Sequence, residues 1–60
     1  MTAKDLERVL KKAGWCEIRQ TGGHKHFKKD GCSYIITIPQ HKGDLKKGTL
    51  DGILKTAGLK

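Results

Sequence analysis

Leu6, Val9, Leu10 and Ala13 recur at helical spacing and place one apolar stripe on an otherwise charged opening segment. Thr2 followed by Asp5 resembles a capping box with a shortened acid. Asp5 and Glu7 lie in the positive first turns, and Lys11 and Lys12 near the negative end. This spacing predicts a helix over residues 3–13, stopped by Gly14. From Trp15 the period changes to two. Residues 15–20 read as a strand, Thr21-Gly22-Gly23 as a turn, and residues 24–29 as a second strand whose one strongly apolar residue is Phe27. Asp30-Gly31 signals a type I′ hairpin into a third strand, Ser33 to Ile38, which Pro39 stops. A polar, lysine-rich loop over residues 40–47 leads to a second helix. Thr49 is its expected N-cap, Leu50, Ile53, Leu54 and Ala57 its apolar face, and Gly58 its stop. Gly52, inside that helix, costs about 1 kcal/mol relative to Ala and has no local reason.

The element order is α-β-β-β-α. The expected fold is a small α+β domain spanning residues 1–60, with a three-stranded antiparallel sheet carrying both helices on one face. The other sheet face is left to solvent or to a partner. At 60 residues, a Rossmann fold, a TIM barrel and a two-domain cleft enzyme are excluded. The same order is that of the double-stranded-RNA-binding domain, although fold alone does not assign function. The longest apolar run, around Tyr34 to Ile38, is far short of the ~20 residues of a membrane span. Met1 to Gly14 is too charged for a signal peptide. A soluble, cytoplasmic protein is the expectation.

Charge narrows the partners. Thirteen Lys and Arg against six Asp and Glu leave a net charge of +7. The excess is spread along the chain, at +2 over residues 1–14, +2 over 15–38 and +3 over 39–60. A surface cationic all over raises the local concentration of polyanions, nucleic acid first among them. Cys16 and Cys32 are too few and too irregularly placed for a disulfide scaffold, and read as small buried or half-buried thiols. His24 and His26 alternate on one strand, but nothing in the spacing of His41, Cys16 or Cys32 completes a metal site with them. Neither a metal nor a cofactor is expected. The chain is also too short for a triad hydrolase with its oxyanion hole and pocket.

RNA cleavage demands least of so small a scaffold, because the 2′-OH is its own nucleophile. One histidine near neutrality removes that proton, and neighbouring cations stabilise the phosphoryl oxygens. His24 has Arg19, Lys25 and Lys28 nearby, and Gly22 and Gly23 before it would let a phosphodiester approach the backbone. Trp15 and Phe27 read as core rather than as base-stacking platforms, Tyr34 faces either way, and Lys42, Lys46 and Lys47 read as a solvated edge.

Those same residues carry a family resemblance. Gly14-Trp15 and Arg19-Gln20-Thr21-Gly22-Gly23-His24-Lys25-His26-Phe27 resemble the HicA toxins, whose signature there is Gly-Ser-His. Thr37-Ile38-Pro39-Gln40-His41 looks like their second block, and Lys47 to Gly58 is similar to their C-terminal helix. The resemblance covers nearly the whole chain in order. It implies a ribosome-independent mRNA interferase of double-stranded-RNA-binding-like fold, the toxin of a type II toxin–antitoxin pair, neutralised by a HicB antitoxin and monomeric when free. The family's functional histidine falls on His24. Gly23 stands where the family usually has serine, so that hydroxyl is missing here.

Two readings follow. In one, the protein is an endoribonuclease with His24 as general base and Arg19, Gly22, Gly23, Lys25 and Lys28 on the RNA. In the other, it is a non-catalytic RNA-binding module on the same fold. The duplex-binding version of that module carries a lysine cluster at the start of its last helix. Here Lys46 and Lys47 precede Gly48-Thr49 and only Lys55 lies within the helix.

Overall fold

The computed structural model describes residues 1–40 and 42–60. Helix α1 spans Ala3–Lys12, strand β1 Cys16–Thr21, β2 His24–Lys28 and β3 Ile36–Pro39, and helix α2 spans Lys47–Thr56. The sheet is an antiparallel meander in the order β1-β2-β3, as the α-β-β-β-α reading expects.

Local chemistry sets the ends of α1. Thr2 Oγ1 accepts from the Asp5 N–H at 3.2 Å and the Asp5 carboxylate accepts from the Thr2 N–H at 3.1 Å, closing the capping box. At the other end, the Trp15 N–H donates to the Leu10 carbonyl and the Gly14 N–H to the Lys11 carbonyl. That pair of bonds is a Schellman stop. It also turns the chain so that Trp15 drops into the core beneath Leu10. The same Ala-Gly pair ends α2, with Leu59 donating to Leu54 and Gly58 to Lys55.

Both helices cover one sheet face, and their packing centres on β3. Leu6 and Leu10 from α1, Trp15, Phe27 from β2 and Ile38 from β3 are fully buried; Ala3, Ile36, Leu45 and Ala57 complete the core, with Leu50, Ile53 and Leu54 packed against it. Among the described residues one charged side chain is buried in this layer. Glu7 is buried on α1, and Lys25 reaches it from β2 with Nζ 3.1 Å from Oε1.

Several expected boundaries move. Trp15 is core rather than the first residue of β1, and β2 ends at Lys28 rather than residue 29. The third strand starts at Ile36, not Ser33, because Asp30-Gly31 is no type I′ hairpin. That turn requires positive φ at both central residues, whereas only Gly31 has it, at +87°. The Cys32 N–H donates to the Lys29 carbonyl across this turn, as in a type II geometry, and a longer loop then carries the chain to Ile36. Tyr34 in that loop is exposed, and its hydroxyl donates to the Thr56 carbonyl at 2.9 Å. Pro39 ends β3 from inside the strand, which an edge position tolerates. Helix α2 begins two residues before Thr49, with Lys46 as an N-cap that makes no side-chain bond. Leu45, in the segment read as polar loop, is buried because its N–H bonds the Met1 carbonyl and Asp44 bridges to Thr2. Cys16 is exposed, contrary to expectation, and Cys32 is half-buried.

Candidate functional site

Antiparallel pairing assigns each strand residue to a face. Lys25 pairs with Ile38 and Phe27 with Ile36, and all four turn toward the helices. The intervening pairs, His24 with Pro39 and His26 with Thr37, turn to the uncovered face. On the β1 side, Thr21 faces His24 and Cys16 faces Lys28.

Arg19 reaches the open face by a defect in the ladder. Glu17 pairs with Phe27 and Arg19 with His26, so Ile18 is an extra, bulged residue, 47% exposed. Without the bulge, strict alternation would set Arg19 opposite Lys25 on the helix side. With it, the guanidinium comes to the row of His26 and Thr37. Three rows therefore cross the open face: Thr21, His24 and Pro39; Arg19, His26 and Thr37; Cys16 and Lys28.

The first row sits at a tight hairpin. Thr21 and His24 are paired and only Gly22 and Gly23 join them; Gly22 has φ +55° while Gly23 does not have positive φ. Glycine at the first central position is the type II′ arrangement, which matches the twist of the strands. His24, next to that turn, is exposed. The imidazole of His26 is better held: Nδ1 lies 3.0 Å from Thr37 Oγ1, and Nε2 is buried with no hydrogen-bond partner among the described residues.

The structure brings together four of the six sequence-derived candidates as surface groups around one hairpin: His24 and Lys28 on the open face, and Gly22 and Gly23 in the turn. Arg19 joins them through the bulge. Lys25 does not. Its ammonium is committed to Glu7 at 3.1 Å and stands 3.9 Å from Glu17, on the opposite face from His24. Arg19 and Lys28 have no ion-pair partner among the described residues and so keep their charge for an external anion. Sequence reasoning did not place His26 in the same row as Arg19, since the bulge leaves no local signature. His41 lies outside the described residues. Among the described residues no three His, Cys, Asp or Glu side chains converge on a metal-sized site, and no helix is long and apolar enough to cross a membrane.

What this face offers chemically is an accessible imidazole beside a glycine turn, with Arg19 in the next row and Lys28 in the row beyond it, on a sheet surface without a covering layer. A family model described as the HicA toxin of bacterial toxin–antitoxin matches residues 3–59. No curated protein matches the chain.

Proposed function

Because the chain belongs to the HicA toxin family, and so is the toxin of a toxin–antitoxin system, we propose that it is a metal-independent endoribonuclease that cleaves mRNA and is neutralised by a HicB antitoxin. His24 is the general base. It takes the proton of the ribose 2′-OH, and the resulting oxyanion attacks the adjacent phosphorus. The P–O5′ bond breaks as the leaving 5′-oxygen takes a proton from water, giving a 2′,3′-cyclic phosphate and a 5′-hydroxyl. The hydroxide formed is neutralised by the proton that His24 gives up to solvent. Arg19 and Lys28 receive the non-bridging oxygens, whose charge grows in the transition state. Gly22 and Gly23 admit the phosphodiester to the backbone of the turn.

The observation that supports this reading is the facing of β2. The register leaves His24 exposed on the uncovered side, in the company of Arg19 and Lys28, while both helices occupy the other side. A purely structural histidine needs neither that exposure nor those neighbours.

The test is a cleavage time course on a labelled mRNA in EDTA, comparing wild type with His24→Ala from identical preparations. Loss of about 10²–10⁴-fold in rate with RNA binding retained is expected. Equal cleavage by both proteins would remove His24 from the mechanism. Salt-sensitive binding with no cleavage by either would make the protein a binding module.

A further inference from the structure

The two edges of the sheet are treated differently. The β1 edge is blunted by the bulge at Ile18 and by the flanking charges of Glu17 and Arg19. The β3 edge has no bulge and no charged residue between Ile35 and Pro39. Its hydrogen-bonding phase follows from one bond, the Gln40 N–H donating to the Gly23 carbonyl. Bonded pairs alternate along an antiparallel ladder, so Ile38 and Ile36 spend their backbone groups on Lys25 and Phe27. Thr37 therefore directs its N–H and C=O away from the sheet. Pro39 shares that outward phase, where its missing N–H costs no ladder bond.

Beside this edge runs a groove of about 360 Å³, walled by Ile35, Ile36 and Thr37 on the strand side and by Gly48, Gly52 and Ile53 of α2 on the other. The two glycines are one helical turn apart on the groove wall. Neither has positive φ, and a Cβ built on either would meet nothing within 4 Å. Packing inside the chain thus gives no reason for them, and Gly52, in the helix interior, weakens α2 relative to Ala. Both glycines leave the α2 wall of the groove without side chains beside an unpaired strand edge.

We propose that this edge and groove receive an extended, acidic segment of the antitoxin, which adds to the sheet as a fourth strand beside β3. The inference rests on the toxin–antitoxin reading of the chain. An outward N–H and C=O on one residue pair in register with a polypeptide and not with a sugar–phosphate chain, and the Ile35 and Ile53 walls suit side chains rather than phosphates. Charge gives the strand its sign. Lys46 and Lys47 stand exposed at the α2 end of the groove, the first turn of α2 holds no acid, and Asp51 is already bonded to Lys60. This edge adjoins the open face, because Pro39 is paired with His24 and Thr37 with His26, so a strand docked on β3 would lie alongside the row that holds the histidine.

The test uses full-length toxin and a purified HicB-type antitoxin. Gly52→Leu fills the groove at a helical position with room for it, and Ile35→Lys places a charge on an exposed edge residue; neither should lower the melting temperature relative to wild type. Each is expected to weaken antitoxin binding at least tenfold while the free toxin cleaves mRNA at the wild-type rate. The Thr37 amide, followed by hydrogen exchange, is expected to become protected in the wild-type complex. Unchanged affinity in both variants with an unprotected Thr37 amide would overturn the docking and leave the pairing intact. Failure of the wild-type proteins to associate at all would overturn both. Loss of cleavage in Gly52→Leu with antitoxin binding retained would assign the groove to RNA and overturn the proposal, as would self-association of free toxin that Ile35→Lys abolishes.

Discussion

Lys25 Nζ lies 3.1 Å from Glu7 Oε1, joining the middle of the sheet to the buried face of α1 across the helix–sheet boundary. Among the described residues Glu7 is the one buried charged side chain, and Lys25 is what makes its burial tolerable. Replacing Lys25 with Met keeps the apolar stem and strands the carboxylate. We expect a loss of about 3 kcal/mol, the lower end of the range for removing one partner of a buried pair, read from urea unfolding. Because the ammonium is not on the open face, RNA affinity under conditions where the variant is folded should change by less than about twofold. A tenfold loss of RNA affinity without loss of stability would return Lys25 to the RNA site.

Arg19 and Lys28 should behave in the opposite way. Both are exposed, and truncating either to Ala should leave stability within about 0.5 kcal/mol of wild type. Each phosphate contact removed from a single strand lowers the slope of log affinity against log salt by about 0.7. The double variant is therefore expected to lose about 1.4 from that slope, measured by RNA binding between low and physiological salt. An unchanged slope would place the phosphates elsewhere.

These contrasts mark what was legible in the chain. The capping box at Thr2 and Asp5, the Ala-Gly stops, the core roles of Trp15 and Phe27 and the order of elements are set by local chemistry, and the structure has all of them. The facing of Arg19 is not local. One bulged residue, Ile18, moves it across the sheet, and no residue type nearby announces the bulge. The pairing of Lys25 with Glu7 joins positions 18 residues apart, so nearness of Lys25 to His24 in sequence pointed to the wrong face. Leu45 is buried beside a bridge between the N-terminal Thr2 and Asp44 of the loop before α2, which no periodicity records. Thr49 has the chemistry of an N-cap, but α2 starts earlier because Leu45 already ties the chain to Met1.

The capping box makes part of the stability depend on acid. The backbone N–H of Thr2, then its hydroxyl, hold the Asp5 carboxyl below its ordinary value of 3.8, with Arg8 adding a smaller pull in the same direction. A carboxyl whose folded pKa is depressed stabilises fully above its unfolded value and loses that contribution as pH falls through the folded value. Wild type should therefore exceed Asp5→Asn in stability by a constant margin from pH 7 to about pH 5. The margin should shrink below about pH 4, in chemical denaturation repeated at each pH. Thr2→Ala is expected to cost about 1 kcal/mol at neutral pH and to flatten the same acid dependence. A margin that grows on acidification would contradict the box.

The two glycines before His24 make a final pair of predictions that separate conformation from chemistry. Gly22 has φ +55°, so Gly22→Ala puts a Cβ into the left-handed region and should destabilise the hairpin by about 1 kcal/mol. Gly23 does not have positive φ, and a Cβ there meets only the Gln40 carbonyl oxygen, at an ordinary 3.9 Å. Gly23→Ser should thus fold with wild-type stability while restoring the hydroxyl usual at this place in the family. With His24 adjacent on the open face, that hydroxyl is expected to raise the rate of mRNA cleavage without altering RNA affinity, a change in kcat rather than in KM. The measurement is single-turnover cleavage alongside melting for both variants. If Gly23→Ser melted lower, as Gly22→Ala should, the turn would require two permissive residues. If it folded normally and cleaved more slowly, the open backbone at Gly23 would itself be part of how this toxin admits the phosphodiester.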